Sequence, residues 1–260
     1  MDRVLVQDGG RQGEVRSATI RRMQLSLMIT CLGDVIRPET GKAAVGLLRR
    51  LGHDVDFPKA QTCCGQPFYN SGFADLAQAQ AKHTIEAFAG ERTVVVPSGS
   101  CAAMVKVEYP HLFEEGSEWH ERAKELAART FELSDFLVNR LGLTDVGARY
   151  EGKITYHYAC HLRGLGLSAE AETLIRHVAG ATFVPLDRQD QCCGFGGSFS
   201  VRYPQISNAM VADKTRCITA TTADAVVSTD AGCLMNIGGK LRREGRPVEV
   251  MHLAELLERR

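Results

Sequence analysis

The spacing of its cysteines constrains this 260-residue chain more than any other feature of the sequence. A cysteine stands 32 positions before the doublet Cys63-Cys64, and another stands 32 positions before Cys192-Cys193. Each doublet is followed by a glycine, and a further cysteine lies 37 positions after the first doublet and 40 after the second. The pattern occurs twice at an offset of 129 residues, which indicates an internal repeat. The first quartet is Cys31, Cys63, Cys64 and Cys101, and the second quartet is Cys160, Cys192, Cys193 and Cys233.

Strand-like and helical segments alternate along the chain, and this alternation predicts an α/β fold with a parallel sheet flanked by helices in each half. Each repeated cysteine follows a predicted strand, at the carboxyl end where parallel sheets bind ligands. The sequence therefore predicts that four thiols converge at one sheet edge in each half. The predicted strands are 23–30, 53–58, 93–97, 153–158, 182–186 and 224–228, with a fourth strand and a closing helix in both halves. The main predicted helices are 38–51, 71–89, 117–129, 168–179 and 204–219.

The repeat also predicts the domain organisation. Residues 1–22 are polar and Arg-rich and are expected to be a disordered extension, and the fold is expected to begin near Met23. The first cysteine-rich domain is assigned to residues 23–142 and the second to residues 153–260. A short linker, residues 143–152, is expected between them.

Composition excludes several kinds of partner. Lys plus Arg equals Asp plus Glu at 31 each, so the chain lacks the basic excess that nucleic-acid binding requires. The sequence has no run of about 20 apolar residues, so no membrane span is expected. The odd number of cysteines and the lack of a secretory signal argue against a disulfide framework and favour a cytoplasmic protein.

Clustered thiolates bind zinc and iron–sulfur clusters. Structural zinc sites usually take pairs of ligands from CxxC knuckles, which the sequence lacks. The side chains of adjacent cysteines diverge, so a cluster several ångströms across suits a doublet better than one small ion. All eight repeated cysteines are therefore candidate ligands, and Cys217 is expected to be a small buried residue.

Glycines next to the doublets would let backbone amides approach the sulfurs and donate hydrogen bonds to them. The candidates are Gly65, Gly194, Gly196 and Gly197. A plain tight turn into a helix is the alternative interpretation of residues 194–197, and the two interpretations are compatible. Nearby candidates are Arg37 and Arg163 as cations for a carboxylate substrate, and His161 and His252 as neighbours of the thiols.

Four stretches of the sequence resemble a known family. They are CLGDVIRPETGKAAVGLLRRLGHDVDFPKAQTCCGQPFYNSGF (31–73), YHYACHLRGLG (156–166), CCGFGGSF (192–199) and VVSTDAGCLMNIGG (226–239). The chain is similar over about residues 23–257 to the cysteine-rich CCG family, which includes the B subunit of heterodisulfide reductase and the iron–sulfur subunit of glycolate oxidase. The likeness is greatest to the lactate-utilisation branch of that family.

This resemblance implies a two-domain iron–sulfur protein that works with a ferredoxin-type B protein and a C protein to oxidise L-lactate to pyruvate. It implies one or two clusters per chain, of the [4Fe–4S] type, and electron transfer rather than catalysis by this chain alone. The glycine-rich second half is expected to be the redox site, and the first half could hold zinc. Another 2-hydroxy acid such as glycolate, or a zinc-stabilised binding module, remains an alternative.

The sequence departs from this family at two positions. Heterodisulfide reductase relatives end each repeat in CxxC, whereas this chain has Ser98 in SGSC and Asp230 in DAGC. Each half therefore keeps four cysteines. This leaves open either a four-thiolate cluster or a site in which Asp230 supplies an oxygen ligand.

Overall fold

A computed structural model describes residues 21–29 and 31–260. The extension predicted for residues 1–22 lies, as far as residue 20, outside the described residues. The chain forms two four-stranded parallel sheets flanked by helices, which confirms the predicted fold class.

The first sheet is built from four short strands in the order β2-β1-β3-β4. Its strands are β1 (Gln24–Leu27), β2 (Asp54–Asp56), β3 (Thr93–Val96) and β4 (Thr130–Glu132). The second sheet has the equivalent order, β6-β5-β7-β8. Its strands are β5 (Arg149–Tyr156), β6 (Ala179–Phe183), β7 (Ala225–Ser228) and β8 (Glu249–His252). The residues around the first sheet are called the first half below, and those around the second sheet the second half.

Helices connect the strands of both sheets. Those of the first half are α1 (Cys31–Ile36), α2 (Pro38–Arg50), α3 (Gln66–Asn70), α4 (Ala74–Ala87), α5 (Gly99–Ala103), α6 (Tyr109–His111), α7 (Glu118–Ala128) and α8 (Leu133–Asp135). Those of the second half are α9 (Glu170–Arg176), α10 (Ser198–Arg202), α11 (Pro204–Ala220), α12 (Ala231–Arg243) and α13 (Leu253–Glu258). Two π-helical turns (Met104–Glu108 and Phe136–Arg140) and a 3₁₀ helix (Cys160–Leu165) complete the set.

The second sheet begins earlier than the sequence predicted. Strand β5 starts at Arg149, inside the segment expected to be a linker. Strand β6 covers Ala179–Phe183, whereas the sequence predicted a strand at 182–186. The first five residues of β5 alternate between exposed and half-buried, so they carry no apolar pattern that would mark a strand. A register shift between Arg149 and Gly152 accommodates the extra length.

One hydrophobic core spans both halves. Leu47 and Leu48 of α2 pack in the same cluster as Leu256 and Leu257 of α13, and all four side chains are buried. Leu25 and Leu27 of the first sheet and Ile154 of the second belong to it as well. A separate cluster fills the space beneath α4, α5 and α7. The two sheets are therefore joined through shared apolar packing rather than only through the connecting chain.

Ion pairs reinforce this junction between the halves. Arg37 Nη2 lies 2.8 Å from Glu255 Oε2, and Thr40 Oγ1 donates to Glu255 Oε1 at 2.7 Å. Arg50 donates to the Leu257 carbonyl at 2.7 Å and lies 3.4 Å from Glu258. Arg37 was a candidate for substrate binding, but in the structure its guanidinium pairs with Glu255 at this junction.

Within the described residues, the structure has no helix that is long and apolar enough to span a membrane.

Replacing Glu255 with alanine should destabilise the junction. The Arg37 guanidinium would keep most of its burial and its bond to the Val250 carbonyl but lose its carboxylate partner, so we expect a loss of about 2–3 kcal/mol in the free energy of unfolding. The exposed pair Lys42–Glu39 offers a matched control, and Glu39→Ala should cost less than about 0.5 kcal/mol. Urea denaturation of the full chain measures both, and equal losses would contradict the assignment.

The same carboxylate predicts a pH dependence. Burial opposes ionisation of Glu255, but the Thr40 hydroxyl and the Arg37 charge outweigh it and hold its pKa below the usual value. Its stabilising contribution is therefore present above about pH 4.3, the ordinary pKa of an unfolded glutamate, and is lost as the pH falls below it. Glu255→Gln should flatten this part of the stability profile between about pH 5 and pH 3. An unchanged slope would count against it.

Candidate metal centre

Both cysteine quartets line one cavity between the two halves. Its volume is about 100 Å³, and all eight of the repeated cysteines contribute to its wall. The sequence predicted a separate group of thiols in each half, and the structure places both groups at a common cavity. The cysteines follow strands in both sheets and line the same cavity. The carboxyl ends of the two sheets therefore face each other.

The doublet in each quartet joins an outer pair of thiols to an inner pair. In the first quartet, Cys31 Sγ lies 3.6 Å from Cys63 Sγ, and Cys64 Sγ lies 3.4 Å from Cys101 Sγ. Cys64 and Cys101 are buried, whereas Cys31 is exposed and Cys63 half-buried. Adjacent residues point in different directions, so one doublet reaches both pairs.

The second quartet repeats this arrangement. Cys193 and Cys233 are buried, and Cys160 and Cys192 are half-buried. In the described part of the chain all nine cysteines are free thiols.

The first cysteine of each doublet has a lowered pKa. A hydrogen bond from Cys31, with a second from Cys64, lowers the pKa of Cys63 to about 3. Hydrogen bonds from Cys160 and then Cys193 lower the pKa of Cys192 to about 2. Each quartet therefore holds a thiolate, the form of cysteine that binds metals.

Glycine backbone geometry supports these thiolates. The Gly194 amide donates to Cys192 Sγ at 3.3 Å. A hydrogen bond from the Gly65 amide likewise helps to lower the pKa of Cys63. Gly194 has φ +79°, and a Cβ there would lie 2.8 Å from the Ser207 carbonyl oxygen. Gly196 and Gly197 line the cavity with φ +52° and +62°, in the turn that leads into α10.

Ser98 and Asp230, which replace the extra cysteines of some relatives, cap two helices. Ser98 Oγ accepts from the Cys101 amide at 3.2 Å, and Asp230 Oδ1 accepts from the Gly232 amide at 3.1 Å. The caps also meet each other, because Asp230 Oδ2 accepts from Ser98 Oγ at 3.1 Å and from the Ser100 amide at 3.0 Å. Asp230 therefore acts as a double cap that ties α5 of the first half to α12 of the second.

Two buried polar residues near the second quartet were missed by the sequence analysis. His157 is fully buried, and its ring lies with Cys193 and Cys233 in a group whose ligand atoms are all within 4.8 Å of one another. Burial lowers the pKa of His157 to about 3, so its imidazole is neutral. Its place at the end of β5, three residues before Cys160, was the available signal.

Lys214 is the second of these residues. Its Nζ donates to the carbonyls of Arg188 and Gln189 at 2.5 and 3.3 Å, which anchors the loop before the second doublet. It is fully buried, although it stands beside Asp213 and Arg216 in a polar helix that the sequence would place at the surface.

The remaining candidates have other partners. Cys217 is buried outside the cavity, as expected for a small core residue. Its sulfur accepts a hydrogen bond from Arg188 at 3.2 Å. Arg163 pairs with Asp190 at 2.8 Å. His252 caps α13 through the Ala254 amide, whereas His161 lines the cavity beside Cys160.

The donor set of this cavity suits a thiolate-bound metal group. Eight thiols converge, neighbouring thiols lower the pKa of one cysteine in each quartet, and glycine amides donate to the same two sulfurs. Each of these features stabilises negative charge on sulfur. The residues present therefore fit one metal group per quartet.

Comparison with known proteins agrees with the repeat. The family model CCG, a cysteine-rich domain, matches residues 26–106 and 154–238. The chain is 52% identical over 239 residues to lactate utilization protein A of Bacillus licheniformis, covering 92% of this chain and 100% of that protein. Lactate utilization protein A of Geobacillus thermodenitrificans is 52% identical and that of Bacillus subtilis 50% identical, with the same coverage.

Among solved structures, an aspartate racemase homologue from Pyrococcus horikoshii OT3 aligns over 91% of this chain and 96% of that one. The identity is 11% and the TM-score 0.33, so this likeness carries no argument about function.

Two glycine variants separate backbone strain from close contact at the second doublet. Gly194→Ala should lose at least twice the stability that Gly166→Ala loses, because it adds a clash with Ser207 to the cost of a positive φ. Gly166 is in the left-handed region, and nothing in the described residues lies within 4 Å of an added Cβ there, so Gly166→Ala should cost about 1–2 kcal/mol. Denaturant unfolding measures this, and equal losses would contradict the contact.

An Asp230→Ala variant tests whether this residue is a cap or a ligand. Loss of the double cap should lower the free energy of unfolding by about 2–3 kcal/mol and leave the metal content per folded chain unchanged. Asp75→Ala, at an exposed position in the first turn of α4, should cost less than about 1 kcal/mol and leave the metal content unchanged. A drop in metal per folded chain for Asp230→Ala alone would identify the residue as a ligand instead.

Proposed function

This chain belongs to the CCG family of cysteine-rich domain proteins, and we propose that it is the iron–sulfur subunit of a complex that oxidises L-lactate to pyruvate. One observation carries the proposal: two quartets of thiols line a single cavity at the facing ends of two parallel sheets. The relatives named for lactate utilisation, which match over 92% of the chain, support the substrate.

The oxidation of L-lactate to pyruvate releases two electrons and two protons, and the electrons need an acceptor. Bound iron–sulfur clusters would supply one-electron acceptor chemistry at this cavity. Cys160, Cys192, Cys193 and Cys233 would hold one cluster, and Cys31, Cys63, Cys64 and Cys101 would hold the other. The inner cysteine of each doublet is shielded from water, and the outer one lies toward the surface.

The protein's own groups set the charge at each site. The Gly194 amide donates to Cys192 at 3.3 Å, and the Phe195 amide lowers the pKa of Cys193 against the larger effects that raise it. Such contacts stabilise a reduced, more negative site and thereby tune its reduction potential. Glycine makes this approach possible at position 194, where a side chain would collide with α11.

The resemblance to the lactate-utilisation branch supports specific partners. We assign lactate dehydrogenation itself to a complex with a ferredoxin-type B protein and a C protein, in which this chain passes on electrons. A reducing cytoplasmic setting is in keeping with nine free thiols.

A zinc-stabilised binding module is the second candidate, and the sulfur separations favour it. Thiolates bound to one tetrahedral zinc ion at about 2.3 Å lie about 3.8 Å apart, close to the 3.6 and 3.4 Å in the first quartet. Zinc in the first half and a cluster in the second would satisfy both observations.

Measurement of iron, acid-labile sulfide and zinc per chain after anaerobic purification distinguishes these candidates. We expect a brown protein with iron and sulfide in equal amounts and an electron paramagnetic resonance signal on reduction. Colourless protein containing zinc alone would refute the iron–sulfur assignment. Lactate-dependent reduction of the assembled complex, compared with glycolate, tests the substrate.

Serine substitutions test the ligands directly. Cys193→Ser should lower iron per chain or change the cluster spectrum, and should abolish lactate-dependent electron flow in the assembled complex. Cys217→Ser is the matched control, since Cys217 is also buried but lies outside the cavity, and it should keep full iron and spectrum.

Comparison of Cys193→Ser with Cys64→Ser shows which half holds the redox cluster. We expect the second half to hold the redox cluster, so Cys193→Ser should have the larger effect on the spectrum. Full activity in Cys193→Ser with loss in Cys64→Ser would reverse the assignment. If both variants were silent, the doublets would not be ligands.

A further inference from the structure

The two quartets differ in one buried neighbour. The repeat offset of 129 residues places His157 opposite Met28. The backbone confirms that the positions are equivalent, because the His157 amide donates to Val227 O at 2.8 Å and the Met28 amide to Val95 O at 3.0 Å. In both halves, the residue directly after the central strand bonds to the next strand in the same way. The first half thus has a thioether where the second has an imidazole.

The imidazole of His157 is buried without a hydrogen-bond partner. Its side chain is inaccessible to water, and neither Nδ1 nor Nε2 has a partner among the residues described. The polar backbone group near the ring is the Gln189 carbonyl, which already accepts from Lys214 at 3.3 Å and from the Tyr158 amide at 3.2 Å. Buried polar atoms almost always have a partner, so an unpartnered ring points to a missing one. Met28 is also buried but does not need a hydrogen-bond partner, because a thioether is only a weak acceptor.

The position of the ring indicates what the partner is. A ligand nitrogen of His157 and the sulfurs of Cys193 and Cys233 all lie within 4.8 Å of one another. One metal atom can contact all three, with bonds of about 2.0–2.1 Å to nitrogen and about 2.3 Å to sulfur. Lys214, the buried cation of this region, already donates to Arg188 and Gln189.

We propose that His157 is a nitrogen ligand of the metal group held by the second quartet, so that this site has five protein donors and the first has four. The inference rests on the metal site of the proposed function and deepens it. Imidazole is a neutral donor, so His157 adds a ligand to the second site without adding negative charge. The two sites of this chain are accordingly unlike, with nitrogen ligation confined to the second.

The experiment uses the full chain, purified without oxygen from cells supplied with ¹⁵N-histidine, and pulsed electron paramagnetic resonance of the reduced protein. We expect a strongly coupled histidine nitrogen whose splitting changes with the isotope. The coupling should disappear in His157→Met, which copies the first half. It should persist in His161→Gln, the control for the other histidine beside Cys160, and in Met28→Leu.

Two results would overturn the proposal. One is wild-type protein that contains cluster but shows no strongly coupled histidine nitrogen, a test that needs no variant to fold. The other is a coupling that survives in His157→Met or vanishes in His161→Gln. A weak coupling alone, as from a hydrogen bond to a bound thiolate, counts as the first of these results.

Iron and sulfide measured in the same samples keep this test separate from that of the proposed function. If iron is absent, the iron–sulfur function fails, and ligation is then examined on zinc-loaded protein by X-ray absorption. In Cys64→Ser, which leaves only the second quartet intact, a zinc shell with one nitrogen among the sulfurs supports the role of His157. An all-sulfur shell, or one that is unchanged in Cys64→Ser/His157→Met, refutes it.

Discussion

The carboxylate of Asp230 joins the starts of two helices from different halves, and this contact holds the facing ends of the two sheets together. The N-terminal turns of α5 and α12 carry unpaired amides and a partial positive charge, which one carboxylate satisfies together. The Gly99 amide also donates to the Thr229 carbonyl at 3.2 Å, so the two backbones touch. A Cβ at Gly99 would lie 2.9 Å from Leu162, which explains why the closest approach occurs at a glycine.

This contact brings two parallel sheets end to end. Each sheet alone would present its four thiols at an open edge, as parallel sheets present their ligand-binding loops. With the sheets apposed, the two edges enclose a shared cavity, and the inner thiols of both quartets become buried. Packing of α2 against α13 supports the apposition through the core that the two halves share. The cavity is thus a property of the pair of halves and of neither half alone.

The two halves keep the same geometry but have different chemistry. The outer–inner pairing of thiols and the acidic first cysteine of each doublet occur in both. Beyond the thiols the second half has His157 and Lys214 buried near its quartet, and the first half has Met28 where His157 stands. A duplicated scaffold can conserve the ligand positions and vary the residues behind them, and those residues tune a metal site.

The sequence by itself determined the repeat, the fold class and the membership of each quartet. These follow from local information: an interval of 32 residues, alternating strand and helix patterns, and cysteines that come directly after strands. It did not reveal the start of β5, whose first five residues lack an apolar pattern and are exposed or half-buried. Only the tertiary structure decided that the two quartets share a cavity, that Ser98 and Asp230 cap facing helices, and that His157 is buried against the second quartet. Each of these depends on contacts between residues that are far apart in the chain, and such contacts are set by packing and not by the local sequence.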